Sequence, residues 1–336
     1  MQRPLNRLLL LIGVAFVVLD AAWIVAGHFV IDARDYGIVF LLVLPLAAGA
    51  FYYDHMRNEA ALSATLAVSA FLVVFPAAAS LLSYLLLTIT GPRIDGLLAS
   101  ADLAIGFRWT QVMAIAADHP RLNALLGFVY LSVVPQTVVL ILALGLRGQL
   151  ESLYGMAFAL AIGAVITLAV WTAFPSFGAF SVFVLPDAVA EKLGLVLGFD
   201  YAHALVAMLR RGPGLISPTE VRGIVGFPSY HTLQALVLFW YARREPYLRG
   251  VALGLNLGVL AAIPVQGGHH LMDMFGGMIV TIAAIGLAGR IVMWTKGPVA
   301  GAAAPLESAL AHGARVPERA SASTRRAIST PEYEQT

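Results

Sequence analysis

Long apolar runs separated by short polar turns fill the first 295 positions, and their lengths predict a bundle of membrane-crossing helices. The runs cover residues 8–31, 36–53, 60–90, 124–146, 155–174, 231–241, 251–265 and 270–294. At 1.5 Å per residue, a hydrocarbon core of about 30 Å takes roughly 20 residues. The 231–241 run is short on that measure and reads as a span that starts inside a protein cavity. The 60–90 run is long, and Pro76 near its centre predicts one tilted or kinked helix. Between 91 and 123 the pattern changes: Arg93, Asp95, Asp102, Arg108, Trp109, Asp118 and Arg121 alternate with apolar residues at roughly helical spacing. That mixture predicts a helix lying at the membrane interface. From 174 to 227 the chain is irregular, with Pro175, Pro186, Pro213 and Pro218 and one short helix expected over 187–209.

Composition agrees with the pattern. Of 336 residues, 60% are hydrophobic and 12% charged, and the mean hydropathy is +0.83, far above a soluble domain. The predicted class is an all-α polytopic membrane helical bundle. Three parts are expected: a two-span extension over 1–59, a six-span core over 60–295 and a disordered tail over 296–336, where Ala, Pro, Ser, Thr and charged residues lack periodicity. The first span has no small-residue cleavage signal and is read as retained. A net charge of +2 spread over loops gives no nucleic-acid surface. The chain has no cysteine, which excludes disulfides and thiolate chemistry.

Short-loop arginines set the expected orientation. Arg243, Arg244 and Arg249 are the strongest signal, and Arg3, Arg7, Arg57, Arg147, Arg290 and Lys296 agree with it if there are eight spans with both termini cytoplasmic. The starts of the 231 and 270 spans then share the outer face of what reads as a bacterial inner membrane.

Two polar stretches lie at those starts. Gly267-Gly268-His269-His270-Leu271-Met272-Asp273 places His269 and Asp273 four apart, on one helical face, where a carboxylate can fix the ring's tautomer. A locally bonded helix-end histidine is the plainer reading of that pair. Pro228-Ser229-Tyr230-His231 puts a Pro-Ser turn and a histidine at a helix start, where free N–H groups can bind an anion. Together, on one face, they form half of a site each. Arg210-Arg211 before Gly212-Pro213-Gly214 reads either as a solvated helix end or as a phosphate clamp.

These residues resemble the type-2 phosphatidic acid phosphatase and haloperoxidase superfamily. Pro228-Ser229-Tyr230-His231 is similar to its Pro-Ser-Gly-His motif with Tyr for Gly, and His269 to Asp273 matches its His-x-x-x-Asp motif. The style of both motifs, with Gly276-Gly277 following, is closest to the inositol phosphorylceramide synthase-like (aureobasidin-resistance-type) branch. The likeness covers about residues 60–294 and implies a six-helix phosphatase-type core with two added N-terminal helices. Ala262 and Ile263 stand where the family often has Ser-Arg, and Gly91-Pro92-Arg93 is a faint echo of its first motif.

The resemblance implies an integral membrane lipid phosphatase or phosphotransferase working through a phosphohistidine. His269 would be the nucleophile, Asp273 its support and His231 the general acid and base. Ser229, with the N–H groups near it, and the arginines would hold the phosphate, with Arg210 and Arg211 as first candidates and Arg93 and Arg222 behind them. The partners would be a membrane lipid substrate and a hydroxyl acceptor or water. No cofactor is expected, and zinc is set aside because a third ligand at suitable spacing is lacking. His270 points about 100° away around the helix and reads as a pocket or packing residue. A transporter or structural protein is the alternative, with Asp20, Gln136 and Asn256 as a polar pathway.

Overall fold

The computed structural model describes residues 1–196, 207–219 and 223–295. The expected tail over 296–336 lies outside the described residues. Helices account for the architecture, and no strand occurs among the described residues beyond one isolated bridge between Ile31 and Ile216.

Two long helices, α1 (Gln2–Gly27) and α2 (Ala33–His55), form an antiparallel hairpin. The Asp32 carboxylate starts α2 by accepting the N–H groups of Arg34 and Asp35 at 3.0 and 3.1 Å. Both helices pack on α3 (Ala60–Leu85), where Phe16 meets Phe75 edge-on at 4.8 Å. Only 17% and 11% of their most apolar stretches are buried, so most of each hairpin helix is left for lipid. The 60–90 run is one element as expected, with Pro76 inside α3 and a 3-10 turn over Leu86–Thr88 at its end.

The segment from 91 to 123 differs from the expected single interfacial helix. It folds as α4 (Asp95–Ala104) and α5 (Trp109–Asp118), broken at Gly106, whose φ of +84° suits glycine. Asp95, Asp102 and Trp109 point into the protein and are buried. The reason is pairing: each acid finds backbone N–H donors of other segments, and the Trp109 indole N–H donates to the Pro264 carbonyl at 2.8 Å. Burial of a polar group is tolerated when it is so satisfied.

The 124–146 run is two helices, α6 (Pro120–Leu131) and α7 (Val133–Leu146), bent by 41°. Pro135 explains the break, because it has no N–H to donate and crowds the carbonyl four residues back. The helix expected over 187–209 is shorter in the structure. It comprises α9 (Asp187–Ala190), after which 191–196 are not helical, and a separate helical piece at 207–211.

At the centre runs α8 (Leu150–Ala173), with 72% of its spanning stretch buried. It is apolar nearly all round, as a helix with most of its surface buried must be. Its neighbours are α3, α7, α10 (Tyr230–Ala242) and α12 (Leu271–Trp294), and α11 (Arg249–Gln266) closes the bundle against α6 and α10. Among the described residues six helices have the length and apolarity to cross a membrane, and the bent α6–α7 pair supplies a seventh. With 13 residues α10 is shorter than these, in keeping with the short 231–241 run.

Polar groups clasp the bundle at the end away from the histidines. Arg147 pairs with Glu245 at 2.8 Å, Gln149 donates to the same carboxylate, and Glu245 is 1% exposed. Within the bundle Asn256 donates to Gln136 at 2.8 Å. Two of the three residues suggested for a polar pathway are therefore each other's partners, while Asp20 sits apart on α1. Glu245→Ala is expected to lower stability by about 1–3 kcal/mol, since it strips charge-assisted bonds from a buried acceptor. Thermal unfolding of the purified protein in detergent would show it, and an unchanged midpoint would refute the clasp.

Candidate active site

The loop before α12 carries the histidines, and its course is held from several sides. Gln266 ends α11 fully buried, donating to the Asn123 side chain at 2.6 Å and accepting the Val196 N–H at 3.0 Å. Gly268 then turns with φ +61°, and its carbonyl accepts the Ala179 N–H at 2.6 Å. A side chain at Gly178, whose φ is +82°, would put Cβ 2.5 Å from that carbonyl. Gly178 lets the two backbones approach this closely, while a Cβ at Gly268 would run into the Phe180 ring.

The chain enters α12 under the control of two carboxylates. Asp273, in the first turn, accepts the His270 N–H at 2.9 Å and sits 3.1 Å from His269 Nδ1 through the same oxygen. With the ring proton on Nδ1, His269 donates to Asp273 and keeps Nε2 unprotonated. Asp102, reaching over from α4, accepts the N–H groups of Leu271 and Met272, each at 3.0 Å. Both acids thus sit at the positive end of α12, where backbone donors and the helix dipole favour negative charge. His270 is fully buried, its Nδ1 3.4 Å from Asp102 and its ring near Phe183, as a packing residue would be.

His231 arrives from the start of α10. Ser229 caps that helix by accepting the Thr232 N–H at 3.3 Å, and its own N–H donates to the Asp273 carbonyl at 2.9 Å. The two motifs expected to share a face are thereby bonded to each other. The His231 and His269 rings lie 6.3 Å apart between centroids, inclined by 63°. Tyr130 of α6 stacks on His231 at 4.5 Å with its hydroxyl 3.3 Å from Nδ1. Both histidines line a cavity of about 230 Å³ with Tyr130, Phe177, Gly178 and Gly226 among its walls.

The structure brings together His231, His269 and Asp273. Ser229 is fully buried behind them and is not among the cavity's described walls; its oxygen is engaged at the cap. Arg93 pairs with Asp95 at 2.9 Å and lies over the Phe177 ring at 5.2 Å, one side chain away from the cavity. Arg210 and Arg211 are exposed on the helical piece at 207–211 and are absent from the described walls. Arg222 lies outside the described residues. Among the described residues no three His, Cys, Asp or Glu side chains gather as ligands of one metal ion.

Several working residues were not singled out by the sequence reading. Tyr130 is one tyrosine in an apolar run, with no local signal. Asp95 and Asp102 did carry one: seven residues apart, they lie two turns along one helical face, with the buried Leu98 and Ala99 between them. Asp95 accepts the Ser176 hydroxyl at 3.0 Å and the Phe177 N–H at 2.8 Å, which fixes the cavity wall at Phe177.

Searches of curated proteins and of solved structures return no significant match. The model of one family, described as the PAP2 superfamily, matches residues 96–287, more than half of the chain. That stretch holds Asp102, Tyr130, His231, His269 and Asp273, and it leaves out the N-terminal hairpin and Arg93. Two histidines facing each other across a cavity, one of them held by a buried aspartate, thus fall inside the matched region, and the chain belongs to the PAP2 superfamily.

Proposed function

We propose that the protein is a membrane lipid phosphatase or head-group phosphotransferase that works through a phosphohistidine. Membership of the superfamily supports a phosphatase-type activity. The observation that carries the finer reading is the approach of His231 to His269 with Asp273 fixed behind. In the first step His269 Nε2 forms a bond to phosphorus as the phosphorus bond to the leaving oxygen breaks, and protonated His231 gives its proton to that oxygen. Asp273 steadies the positive charge that grows on the His269 ring. In the second step the acceptor's hydroxyl loses its proton to His231 as its oxygen attacks phosphorus and the bond to His269 breaks.

The acceptor sets the outcome. Water gives hydrolysis, and a lipid or polyol hydroxyl gives head-group transfer, the reading favoured by the likeness to inositol phosphorylceramide synthases. Phosphate charge would be met by Arg210 and Arg211, by Arg93 beside Phe177 and by Arg222. With both termini cytoplasmic the site opens on the outer face of a bacterial inner membrane.

Phosphate release from short-chain phosphatidic acid tests the nucleophile. His269→Ala is expected to lose about 10³-fold or more in kcat and His231→Ala about 10²- to 10⁴-fold. Undiminished release in either variant refutes its role. Transfer is tested by comparing head groups in lipid extracts of cells with and without the protein, where no change in any phospholipid or sphingolipid refutes it.

Asp102 is a positioning residue, acting through the backbone of α12. Asp102→Ala is expected to lower kcat by about ten- to a hundredfold through misplacement of His269 while KM stays within about threefold. Asp102→Asn, which keeps one acceptor, should recover part of the loss. Equal kcat in Asp102→Ala and the parent refutes the role, and a loss confined to KM would move Asp102 to substrate binding.

A further inference from the structure

The N-terminal hairpin holds a second site. A cavity of about 160 Å³ lies between α1, α2 and α3, walled by Val17, Ile24, Phe40, Val74, Ala78 and Leu81 and ending at Asp20 and Tyr36. Asp20 is 3% exposed and Tyr36 7%. Among the described residues neither Asp20 Oδ1 nor the Tyr36 hydroxyl has a hydrogen-bond partner. Leaving such groups unpaired in an apolar setting is costly, and the natural remedy is a ligand that pairs with them. None of the cavity's described lining residues is basic, so none of them serves as counter-ion.

The cavity also has a tail. Val17, Phe40 and Val74 are shared with a larger apolar groove of about 450 Å³ that follows the same three helices toward Arg3 and His55. Together the two volumes fall in the roughly 300–1,000 Å³ range of small-molecule sites. Asp20 lies seven residues before the end of α1, about 10 Å at 1.5 Å per residue, so the polar end sits a short way beneath the membrane surface. That end of the hairpin faces the segment leading to His231, since Val30 and Asp32 bond to Ile216 through their backbones.

We infer that this cavity binds a neutral lipid alcohol, with its hydroxyl between Asp20 and Tyr36 and its chain along the groove. A hydroxyl both donates and accepts, so one group answers both orphaned oxygens. A phosphate is disfavoured by the acid and by the absence of a basic partner, and it is bulky for the polar end. A lipid alcohol is what hydrolysis of a lipid phosphate releases and what transfer consumes, a link that rests on the function proposed above; the binding itself does not.

The test is photolabelling of the full chain in detergent with a diacylglycerol carrying a diazirine in one acyl chain. The comparator is a non-hydrolysable phosphonate analogue of phosphatidic acid with the same chains. Labelling of α1–α3 peptides is expected to half-saturate at about five- to tenfold lower concentration for the diacylglycerol. In the Asp20→Leu/Tyr36→Phe double variant the two probes should become equal, whereas Asp20→Asn, still a hydrogen-bonding group, should bind within about twofold of the parent. Should the double variant fail to stay monodisperse, Tyr36→Phe carries the test with an expected loss of about threefold. Equal labelling by both probes in the parent, or an unchanged double variant, overturns the proposal. So does loss of labelling in Asp20→Asn accompanied by capture of a diazirine alkylamine, which would make the occupant a cation. No turnover is read, so failure here leaves the phosphohistidine reading untouched, and failure of that reading leaves this one standing.

Discussion

Everything at the candidate site hangs on how the N-terminus of α12 is satisfied. A helix start exposes unpaired N–H groups, and burying them without acceptors is costly. Here two aspartates supply the acceptors, Asp273 from inside the helix and Asp102 from α4. The arrangement solves two problems at once, because the same N–H groups and helix dipole stabilise two carboxylates that are themselves almost wholly buried. His269 is fastened to one of those carboxylates, so the ring's position follows from the capping rather than from packing of the ring alone. Ser229 extends the chain of dependence by tying the α10 start to the Asp273 carbonyl. A disturbance at any of these points reaches both histidines.

The site is therefore a junction of chain ends over a rigid bundle. The central helix α8 brings small residues against its neighbours, which lets α10 and α12 come close. Above it the loops meet backbone to backbone: Gly226 N–H donates to the Ser176 carbonyl at 2.7 Å, and Ala179 to Gly268. Asp95 fixes the first of these loops through Ser176 and Phe177. Rigid helices set the depth and the loops set the shape, the usual division between scaffold and site.

Much of this was legible in the sequence, for a physical reason. Hydrocarbon demands long uninterrupted apolar runs, so the spans declare themselves, and a histidine and aspartate four apart at a span's mouth stand out against that background. The face-sharing of His231 and His269 could be reached by counting two crossings. What could not be read was the direction in which polar residues of the 91–123 segment point. A mixed pattern is the same whether its acids meet water or backbone donors from elsewhere, and Asp95 meets a donor 82 positions away while Asp102 meets donors 169 and 170 positions away. Tyr130 was hidden for the opposite reason, since an aromatic residue in an apolar run carries no mark of the ring it will stack on. The helix over 187–209 was overextended because apolar spacing continues past the point where the structure leaves the helix at 191.

The N-terminal hairpin looked like an addition to a complete core, and its contacts change that picture. Asp32 N–H donates to the Ile216 carbonyl, and Ile216 N–H to the Val30 carbonyl, both at 2.9 Å. Asp35 accepts the hydroxyls of Ser217 and Thr219, each at 2.9 Å. Ile216 is itself buried among Tyr36, Leu81 and Leu85. The stretch so fastened lies in the chain between Arg210-Arg211 and the Pro228-Ser229-Tyr230-His231 turn. A segment pinned in this way at Ile216, Ser217 and Thr219 has fewer conformations to lose than a free one. The hairpin thus restrains the segment that precedes the Pro228-Ser229-Tyr230-His231 turn, through backbone and carboxylate contacts about Ile216, even though the matched family region begins after its two helices.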